Sequence, residues 1–544
     1  MNAAPAALHV VVLQRRSPSQ SQSQPQPLET SAAPPGQYRE LARLPTVSRV
    51  HSLRLTRSTA RSDLHLLAGA FHNGAGRILL ADDRAESLLD SARLLAAYPH
   101  TAVLVRRDAP AGQDVVRARL RATQKNGYQL TSLDQDLLSE YVFGGMALLA
   151  ADDAAAFASR LSAMEADSLA ATADLHSSPT AAILNATNSI RALRPRALRL
   201  VPSADDGRPA GLDVAPMGGG SHATTYKLLP AGGGAPRLRK QAGGAGRAKL
   251  ADEVAWLRSL DPAARRLFPQ ILSEDEGSVD LSYHDLPTLR TLLLDGRITP
   301  EAAVSVLVEV VRTLDDRVYR RVPGPREDYA RRIHLDRVTG RVAETARRLP
   351  QYQRLWRSPT VVVNNREREN LWPLANRLAH HPKLAVLEPP RLLRIHGDLH
   401  FDNILVRPAR PGFLLVDPRG AENYDIAYDV GKLFHSCHSL YDLLHAGHYR
   451  LRHEDTRLAL TFTAPRLAVA YQRVHQELLA ALDAWEPLRQ EPHWQLRALF
   501  AEACHMASVM PFHLRQDGTE SLALALYARG VELLNDVADR LDAL

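Results

Sequence analysis

The first two hundred residues alternate short apolar runs with stretches of helical spacing. Residues 8–13, 76–83 and 101–105 are mainly apolar runs that end at polar residues, which is typical of buried strands. Residues 87–97 and 152–164 instead repeat apolar positions with the period of a helix. Strands that alternate with helices predict an α/β domain with a parallel sheet.

The pattern changes after a polar, Gly- and Pro-containing segment at residues 203–208. Two short strands then flank a glycine cluster, a helix follows at residues 248–260, and long helical segments run to the C-terminus. This order predicts a small β-rich lobe followed by a helical lobe. Residues 17–36 are rich in Ser, Gln and Pro, and a segment of this composition cannot bury enough apolar surface to become ordered. The predicted parts are an α/β domain (1–205) with a disordered insertion (17–36), a small lobe (211–290) and a helical lobe (291–544).

Composition narrows the class of protein. The chain has 544 residues, of which 45% are hydrophobic and 23% charged, and it contains no apolar stretch long enough to span a bilayer. The formal charge of +7 is spread along the chain, so we expect no nucleic-acid partner and no membrane insertion. Cys437 and Cys504 fit a reducing cytoplasm. Arginine is the usual cation, and the lysines are Lys125, Lys227, Lys240, Lys249, Lys383 and Lys432.

Residues 395–405 and 413–417 carry the candidate chemistry, which is phosphoryl transfer. A carboxylate must accept the proton of a substrate hydroxyl, and Asp398 is the candidate base. An amide five residues later can reach a metal ion, and Asn403 fits that role. A second carboxylate on its own apolar strand, Asp417, is the candidate for holding Mg²⁺, which prefers hard oxygen ligands.

These residues resemble the His-Gly-Asp-x-His-x-x-Asn loop of the aminoglycoside phosphotransferase and choline kinase superfamily. The resemblance implies an α+β bilobal, protein-kinase-like domain. It implies further that Asp425 caps a helix behind the metal loop and that Asp429 braces the catalytic loop. His396 and His400 have a spacing that also suits metal ligands, but in this family we expect them to brace the loop by hydrogen bonds.

Upstream residues complete the expected nucleotide site. Glycines at a hairpin let backbone N–H groups approach phosphate oxygens, and a strand lysine paired with a helix glutamate positions phosphates in kinase folds. A hinge strand at residues 279–287 and a helix at 289–294 follow. The candidate nucleotide-binding residues are Gly218, Gly219, Gly220, Ser221, Lys240 and Glu253.

The N-terminal domain faintly resembles sugar-nucleotide and choline-phosphate nucleotidyltransferases. A strand ending at Asp82-Asp83 could carry a metal ligand, and residues 141–149 have the Gly-Gly-hydrophobic pattern of a later strand that leads into a helix. No glycine-rich triphosphate loop follows residue 13. We therefore favour a degenerate, non-catalytic domain, with an active one or a different α/β fold as alternatives. An acidic pair at a strand end is also common in solvated turns.

Together these features predict a cytoplasmic phosphotransferase that uses ATP or GTP with Mg²⁺. Its acceptor would be the hydroxyl of a small polar metabolite such as a sugar, amino sugar or amino alcohol. By analogy with the N-terminal resemblance, the product would enter surface-glycan or sugar-nucleotide metabolism. The alternatives are a nucleotide-binding regulatory pseudokinase and a bifunctional nucleotidyltransferase-kinase.

Overall fold

The structure is a computed structural model, and it divides into two compact units. One unit comprises Met1–Gly243 with Ile271–Tyr283, and the other comprises Gly244–Gln270 with His284–Leu544. The residues that the structure describes are 8–15, 47–55, 77–82, 95, 98, 100–106, 117–123, 127–134, 142–163, 178–202, 209–216, 223–230, 234–324, 326–407, 412–420, 424–514 and 520–544.

Strands dominate the first unit, and short sheets are inserted in the second. The strands are β1 (Leu8–Arg15), β2 (Val47–Leu55), β3 (Arg77–Asp82), β4 (Ala102–Arg106), β5 (Arg117–Thr123), β6 (Gly127–Asp134), β7 (Val142–Leu149), β8 (Arg196–Pro202), β9 (Pro209–Pro216), β10 (Thr224–Pro230), β11 (Arg237–Gln241), β12 (Ile271–Asp275), β13 (Ser278–Ser282), β14 (Arg320–Arg321), β15 (Thr360–Val363), β16 (Arg366–Glu369), β17 (Leu393–Arg394), β18 (Ile404–Val406), β19 (Phe413–Leu415), β20 (Tyr449–Glu454) and β21 (Arg457–Phe462).

Helices form most of the second unit. The α-helices are α1 (Ala151–Ser162), α2 (Pro179–Ala186), α3 (Ser189–Leu193), α4 (Ala245–Ser259), α5 (Pro262–Arg265), α6 (Leu289–Leu294), α7 (Pro300–Arg317), α8 (Asp336–Arg348), α9 (Gln353–Arg357), α10 (Leu371–Ala379), α11 (Ile426–Cys437), α12 (Tyr441–His445), α13 (Pro465–Asp483), α14 (Glu486–Arg489), α15 (Trp494–Met506) and α16 (Glu520–Ala543). A π-helix (Ala330–Leu335) precedes α8, and 3₁₀ turns lie at Pro350–Tyr352, Leu384–Leu387, Phe401–Asn403 and Met510–His513.

The apolar runs of the N-terminal part form strands that are buried on both faces. Val11 and Leu13 of β1 pack in one core with Phe157 of α1, whereas Val10 and Val12 pack on the opposite face with other side chains. A strand covered on both sides needs apolar residues at consecutive positions, which explains the run at residues 8–13. The predicted strands at 8–13, 76–83 and 101–105 and the helix at 152–164 are confirmed.

The expectation of a parallel sheet is wrong, because the sheet is mixed. β1 pairs in parallel with β2 and β3, and β4 pairs in parallel with β8. However, β7 runs antiparallel to both β3 and β4, and β5 and β6 form an antiparallel pair. An antiparallel strand reached through a longer connection leaves the same apolar pattern as a parallel one, so the pattern alone does not distinguish them.

Strands on the two sides of residue 205 share one sheet. The order of its main path is β12-β13-β11-β10-β9-β8-β6-β5-β7-β3-β1-β2, and β4 pairs with β7 and β8. β8 and β9 are antiparallel neighbours, as are β9 and β10, which flank the glycine cluster. The division at 205 and 211 stays a prediction, and the sheet continues across it.

The second unit contains strands that the helical pattern did not predict. β15 and β16 form a hairpin through Asn364 and Asn365, whose φ angles are 51° and 64°. Asparagine tolerates this left-handed backbone, and two such residues suit the tight turn of a hairpin. β15 also pairs in parallel with β21, which pairs with β20. The predicted helices at 248–260 and 289–294 are confirmed as α4 and α6.

The insertion at 17–36 and most of the predicted helix at 87–97 lie outside the described residues. Among the helices of the described chain, none is long and apolar enough to cross a membrane.

Candidate active site

A short hairpin brings the predicted catalytic and metal-binding residues together in the second unit. β18 and β19 are antiparallel, with Ile404 opposite Leu415. The pairing continues one step further, because the Val416 amide donates to the Asn403 carbonyl over 3.0 Å. Asn403 therefore lies across the hairpin from the residue that precedes Asp417. The same 3₁₀ turn that ends at Asn403 begins directly after His400 in the catalytic loop.

One face of α11 holds the catalytic loop from behind. Asp429 accepts hydrogen bonds from the backbone amides of His396 (2.9 Å) and Gly397 (2.7 Å), and Ser436 accepts one from the Phe401 amide (3.0 Å). Between them, Lys432 lies 2.8 Å from an Asp398 carboxylate oxygen. Residues spaced by three and four lie on one face of a helix, so one helix fixes the loop at several points.

The predicted supports at the start of this helix are confirmed. Asp425 is the N-cap of α11 and accepts a hydrogen bond from the Ala427 amide. It also pairs with the buried Arg497 at 2.8 Å, which fixes α11 to α15. Burial raises the pKa of Asp429 to about 7, although its amide donors and the Tyr319 hydroxyl lower it. Asp429 thus braces the loop, as the resemblance implied.

The carboxylate of Asp398 lies between Lys432 and His400. Lys432 Nζ is 2.8 Å from Oδ1, and His400 Nε2 is 3.6 Å from Oδ2. Burial opposes ionisation of Asp398, but Lys432 and then His400 outweigh it and hold its pKa well below the usual range. The group is therefore an ionised carboxylate at neutral pH, with 36% of its side chain exposed. An ionised, partly accessible carboxylate can receive a proton from a bound hydroxyl.

The two loop histidines differ in their environment. His396 is fully buried, and its Nδ1 accepts a hydrogen bond from the Asp398 amide (3.2 Å). Burial lowers its pKa to about 4, so the ring is neutral. Burial also lowers the pKa of His400, but the nearby Asp398 carboxylate raises it above the ordinary value. The prediction that His396 braces the loop by a hydrogen bond is confirmed. For His400 the same role stays a prediction, and its ring lies 3.6 Å from the Asp398 carboxylate.

The donor set fits a magnesium ion bound partly by substrate. The Asn403 amide nitrogen donates to the Asp398 carbonyl over 2.8 Å, and within the described chain its Oδ1 accepts no hydrogen bond. An amide oxygen and the Asp417 carboxylate are hard ligands of the kind Mg²⁺ uses alongside phosphate oxygens and water. The described residues contain no cluster of three or more His, Cys, Asp or Glu that could hold a metal by itself.

The backbone after the catalytic loop adopts conformations that require specific residues. Asp417 has φ of 55° although Pro418 follows it, a strained left-handed position. Gly397 has φ of 82°, and a Cβ there would lie 2.8 Å from Arg419 Cβ. A Cβ on Gly420 would lie 2.7 Å from the backbone of Asp252 and Glu253 in α4. Side chains at either glycine would displace the segment that carries Asp417.

The remaining nucleotide-site predictions stay predictions. Lys240 is buried in β11 of the first unit, and Glu253 lies in α4 of the second, so each is described only within its own unit. Gly218, Gly219, Gly220 and Ser221 lie outside the described residues.

In the N-terminal part, Asp82 has a structural position. It is buried at the end of β3 and accepts hydrogen bonds from the Thr180 amide (2.8 Å), the Thr180 hydroxyl (2.7 Å) and the Ser178 hydroxyl. Ser178 is the N-cap of α2, so Asp82 ties this helix to the sheet. Its interpretation as part of a solvated turn is wrong, and Asp83 lies outside the described residues.

Lys432 is the site residue that sequence reasoning did not assign. It had been noted only as one of few lysines in an arginine-rich chain. The available signal was its spacing: Lys432 follows Asp429 by three residues on a helix whose Asp429 was already expected to face the loop.

A family model matches the segment of the chain that contains this site. Residues 213–459 match the model of the phosphotransferase enzyme family, APH. No curated protein matches the chain. Among solved structures, choline kinase from Cryptosporidium parvum Iowa II is 10% identical, with a TM-score of 0.36, over 60% of this chain and 89% of that one. The GDP complex of aminoglycoside 2'-phosphotransferase-IIIa is 16% identical, with a TM-score of 0.30, over 60% of this chain and 92% of that one.

A further solved structure is similar to a smaller share of this chain. Mannose-1-phosphate geranyltransferase from Thermus thermophilus is 17% identical, with a TM-score of 0.22, over 37% of this chain and 74% of that one. We infer nothing from these solved structures beyond the similarity itself, and the nucleotidyltransferase-like role of the N-terminal part stays a prediction.

The family match confirms the fold class and the enzyme class predicted from the sequence. The chain combines an α/β N-terminal part with a kinase-like phosphotransferase fold, and its enzyme class is phosphotransferase. Residues 213–459 of this chain are similar to the APH phosphotransferase enzyme family.

Proposed function

We propose that the protein transfers the γ-phosphoryl group of ATP or GTP to a hydroxyl of a small polar metabolite. Asp398 is the base, Asn403 and Asp417 are the Mg²⁺ ligands, and Lys240, positioned by Glu253, contacts the nucleotide phosphates. The glycine loop at residues 218–221 covers those phosphates.

One observation carries this proposal. Asp398 is an ionised, partly exposed carboxylate, and Asn403, which donates to its carbonyl, lies across a hairpin from Val416, next to Asp417. The candidate proton acceptor and the two candidate Mg²⁺ ligands thus belong to neighbouring parts of a segment that matches a phosphotransferase family. This is the set of groups that phosphoryl transfer requires of a protein.

The chain's own residues perform the proton and positioning steps. The acceptor oxygen attacks the γ-phosphorus, the bond to the β-phosphate oxygen breaks, and the hydroxyl proton passes to Asp398. Lys432 contacts Oδ1 of Asp398, and this contact orients the carboxylate before the substrate arrives. Asp429 and Ser436 hold the loop backbone through its amides, so this orientation costs little at the moment of reaction.

Mg²⁺, when bound, supplies positive charge that offsets the negative charge of the phosphate oxygens. Asn403 Oδ1 and the Asp417 carboxylate would hold it. The acceptor class we propose is a sugar, amino sugar or amino alcohol, and the pathway context is surface-glycan or sugar-nucleotide metabolism.

The test is acceptor-dependent release of ADP or GDP by the full chain across a panel of sugars, amino sugars and amino alcohols. Asp398→Asn should lower kcat by orders of magnitude while the affinity for Mg·ATP stays near that of the parent. Asp316→Asn is the matched control, because Asp316 is 76% exposed on α7 and its carboxylate pairs with the neighbouring Arg317. Tight nucleotide binding without turnover on any acceptor would indicate a regulatory pseudokinase instead.

A further inference from the structure

Two arginines converge on one buried tyrosine hydroxyl near the catalytic loop. Arg337, close to the start of α8, donates from Nη1 to the Tyr428 hydroxyl over 2.7 Å. Arg419, two residues after Asp417, donates to the same oxygen. The Tyr428 side chain is buried on α11. Two guanidinium groups therefore share a single acceptor. Burial raises the pKa of Tyr428, but Arg337 and Arg419 outweigh it and lower the pKa below its usual value.

No carboxylate forms an ion pair with either guanidinium within the part of the chain that the structure describes. The other partner of Arg337 is His505 Nδ1 at 2.7 Å, and burial holds the pKa of His505 far below its usual value, so that ring is neutral. Among the described residues, none accepts a hydrogen bond from the buried Nε of Arg337. The guanidinium of Arg419 stacks 5.5 Å from the centre of the Tyr424 ring. Arg337 is half-buried and Arg419 is exposed, so an anion from solvent could reach both guanidinium groups and relieve the repulsion between them.

The surroundings of the pair hold groups of both signs. Tyr428 raises the pKa of Arg419, burial lowers it, and the Asp398 carboxylate raises it again. Burial lowers the pKa of Lys249 on α4, and the nearby Arg419 and Arg341 lower it further. Arg341 lies one turn beyond Arg337 on α8 and pairs with Glu344 at 2.6 Å, so its own charge is compensated. Such a concentration of cations attracts an anionic ligand.

The pair is linked directly to the catalytic loop. The Arg419 amide donates to the His396 carbonyl over 2.8 Å. The side chain of Arg419 fills the space beside Gly397, where a Cβ would lie 2.8 Å from Arg419 Cβ. Gly397 precedes Asp398, so an anion held by Arg419 would lie next to the candidate base.

We propose that Arg337 and Arg419 form an anion subsite beside Asp398, and that it holds a phosphate or carboxylate group of the acceptor. The acceptor is then an anionic hydroxyl compound, an assignment that rests on the proposed phosphotransferase function. Guanidinium groups bind phosphate and carboxylate oxygens in a bidentate manner, which suits this recognition. The nucleotide phosphates have their own proposed ligands in Lys240 and the metal site, so the arginine pair is available to the acceptor.

Matched pairs of acceptors test the charge requirement. ADP release is measured with glycerol against glycerol 3-phosphate, glucose against glucose 6-phosphate, and glucose against gluconate. At least one anionic member should have a kcat/KM about 10- to 100-fold above that of its neutral partner, the range expected for hydrogen bonds to a charged group. Arg337→Gln and Arg419→Gln should remove this preference by raising the acceptor KM, with the nucleotide KM unchanged. Arg354→Gln is the control, since Arg354 is 84% exposed on α9 and lies 3.7 Å from Asp455.

Binding of inorganic phosphate to the full chain, followed by calorimetry without nucleotide, tests the subsite independently of turnover. The parent should bind phosphate about 10- to 100-fold more tightly than Arg337→Gln or Arg419→Gln. Arg337→Lys keeps the charge, so its phosphate affinity should lie between those of the parent and Arg337→Gln. Equal phosphate affinity in all variants, with only a lower Tm, would mean that the arginines merely brace Tyr428. Neutral acceptors that work as well as anionic ones would overturn the acceptor assignment, as would a rise in the nucleotide KM alone. If no acceptor of either charge releases ADP, the phosphotransferase proposal fails, whereas the phosphate titration still decides the subsite.

Discussion

Replacing Lys432 with methionine should change the pH dependence of the reaction. The variant keeps the length and apolar stem of the side chain but removes the ammonium that lies 2.8 Å from Asp398. His400, at 3.6 Å, then remains beside the carboxylate. Because Lys432 is the largest favourable influence on ionisation of Asp398, its loss should raise the pKa of that carboxyl.

The size of this effect follows from the distance and the exposure. Two unit charges 2.8 Å apart interact by about 6 kcal/mol at an effective dielectric constant of about 20. Solvent screens the pair, since 36% of the Asp398 side chain is exposed, so about 1–2 kcal/mol is a more reasonable value. That range corresponds to roughly one pKa unit.

The assay is the pH profile of kcat/KM with a saturating nucleotide. Asp398 must be ionised to accept a proton. A higher pKa therefore moves the acid limb of the profile to higher pH, by about one pH unit. Lys432→Arg keeps the charge and should leave the limb in place. Lys383→Met, which removes an ammonium that donates to the Asp542 carbonyl, should behave like the parent. A Lys432→Met profile with reduced rates but an unmoved acid limb would refute the reasoning.

Three further predictions concern the proposed metal ligands and two buried carboxyl groups, Asp442 and Asp82. Asp417→Ala and Asn403→Ala should each weaken binding of Mg·ATP measured by calorimetry, because each removes a hard oxygen ligand, and unchanged affinity in both would exclude a metal role. Burial raises the pKa of Asp442 to about 7, so this group stabilises the fold at low pH and the benefit is lost as the pH rises through about 7. Asp442→Asn should therefore raise Tm relative to the parent more at about pH 8 than at about pH 5, and a difference independent of pH would contradict the shift. Asp82→Asn should lower the stability by about 1–3 kcal/mol, since it weakens a buried acceptor, while the phosphotransferase rate stays constant; a changed rate with unchanged Tm would give Asp82 a functional role instead.

The parts of the site that were predictable are those encoded by residues close together in sequence. Asp398 and Asn403 lie on one loop, and the apolar strand before Asp417 returns beside it through a short hairpin. Local spacing therefore defines their geometry. The helix cap at Asp425 was predictable for the same reason, because a cap is a contact between neighbours in the chain.

Contacts between distant segments were not predictable. Lys432 reaches Asp398 only because α11 packs behind the loop, and Arg337 reaches Tyr428 across 91 residues of sequence. The sheet formed by β15, β16, β20 and β21 was not predicted. The reason is that β15 is short and its partner β21 lies far along the chain. Likewise, consecutive apolar residues in β1 report burial on both faces but not the direction of the neighbouring strands.

The most direct test of the central claim is transfer of label from γ-³²P-ATP to an acceptor by the full chain. The proposed mechanism predicts labelled acceptor and ADP in equal amounts, dependent on Mg²⁺, with Asp398→Asn slower by orders of magnitude and Asp316→Asn unchanged. Label that appears only as inorganic phosphate, or transfer that proceeds equally well in Asp398→Asn, would contradict it.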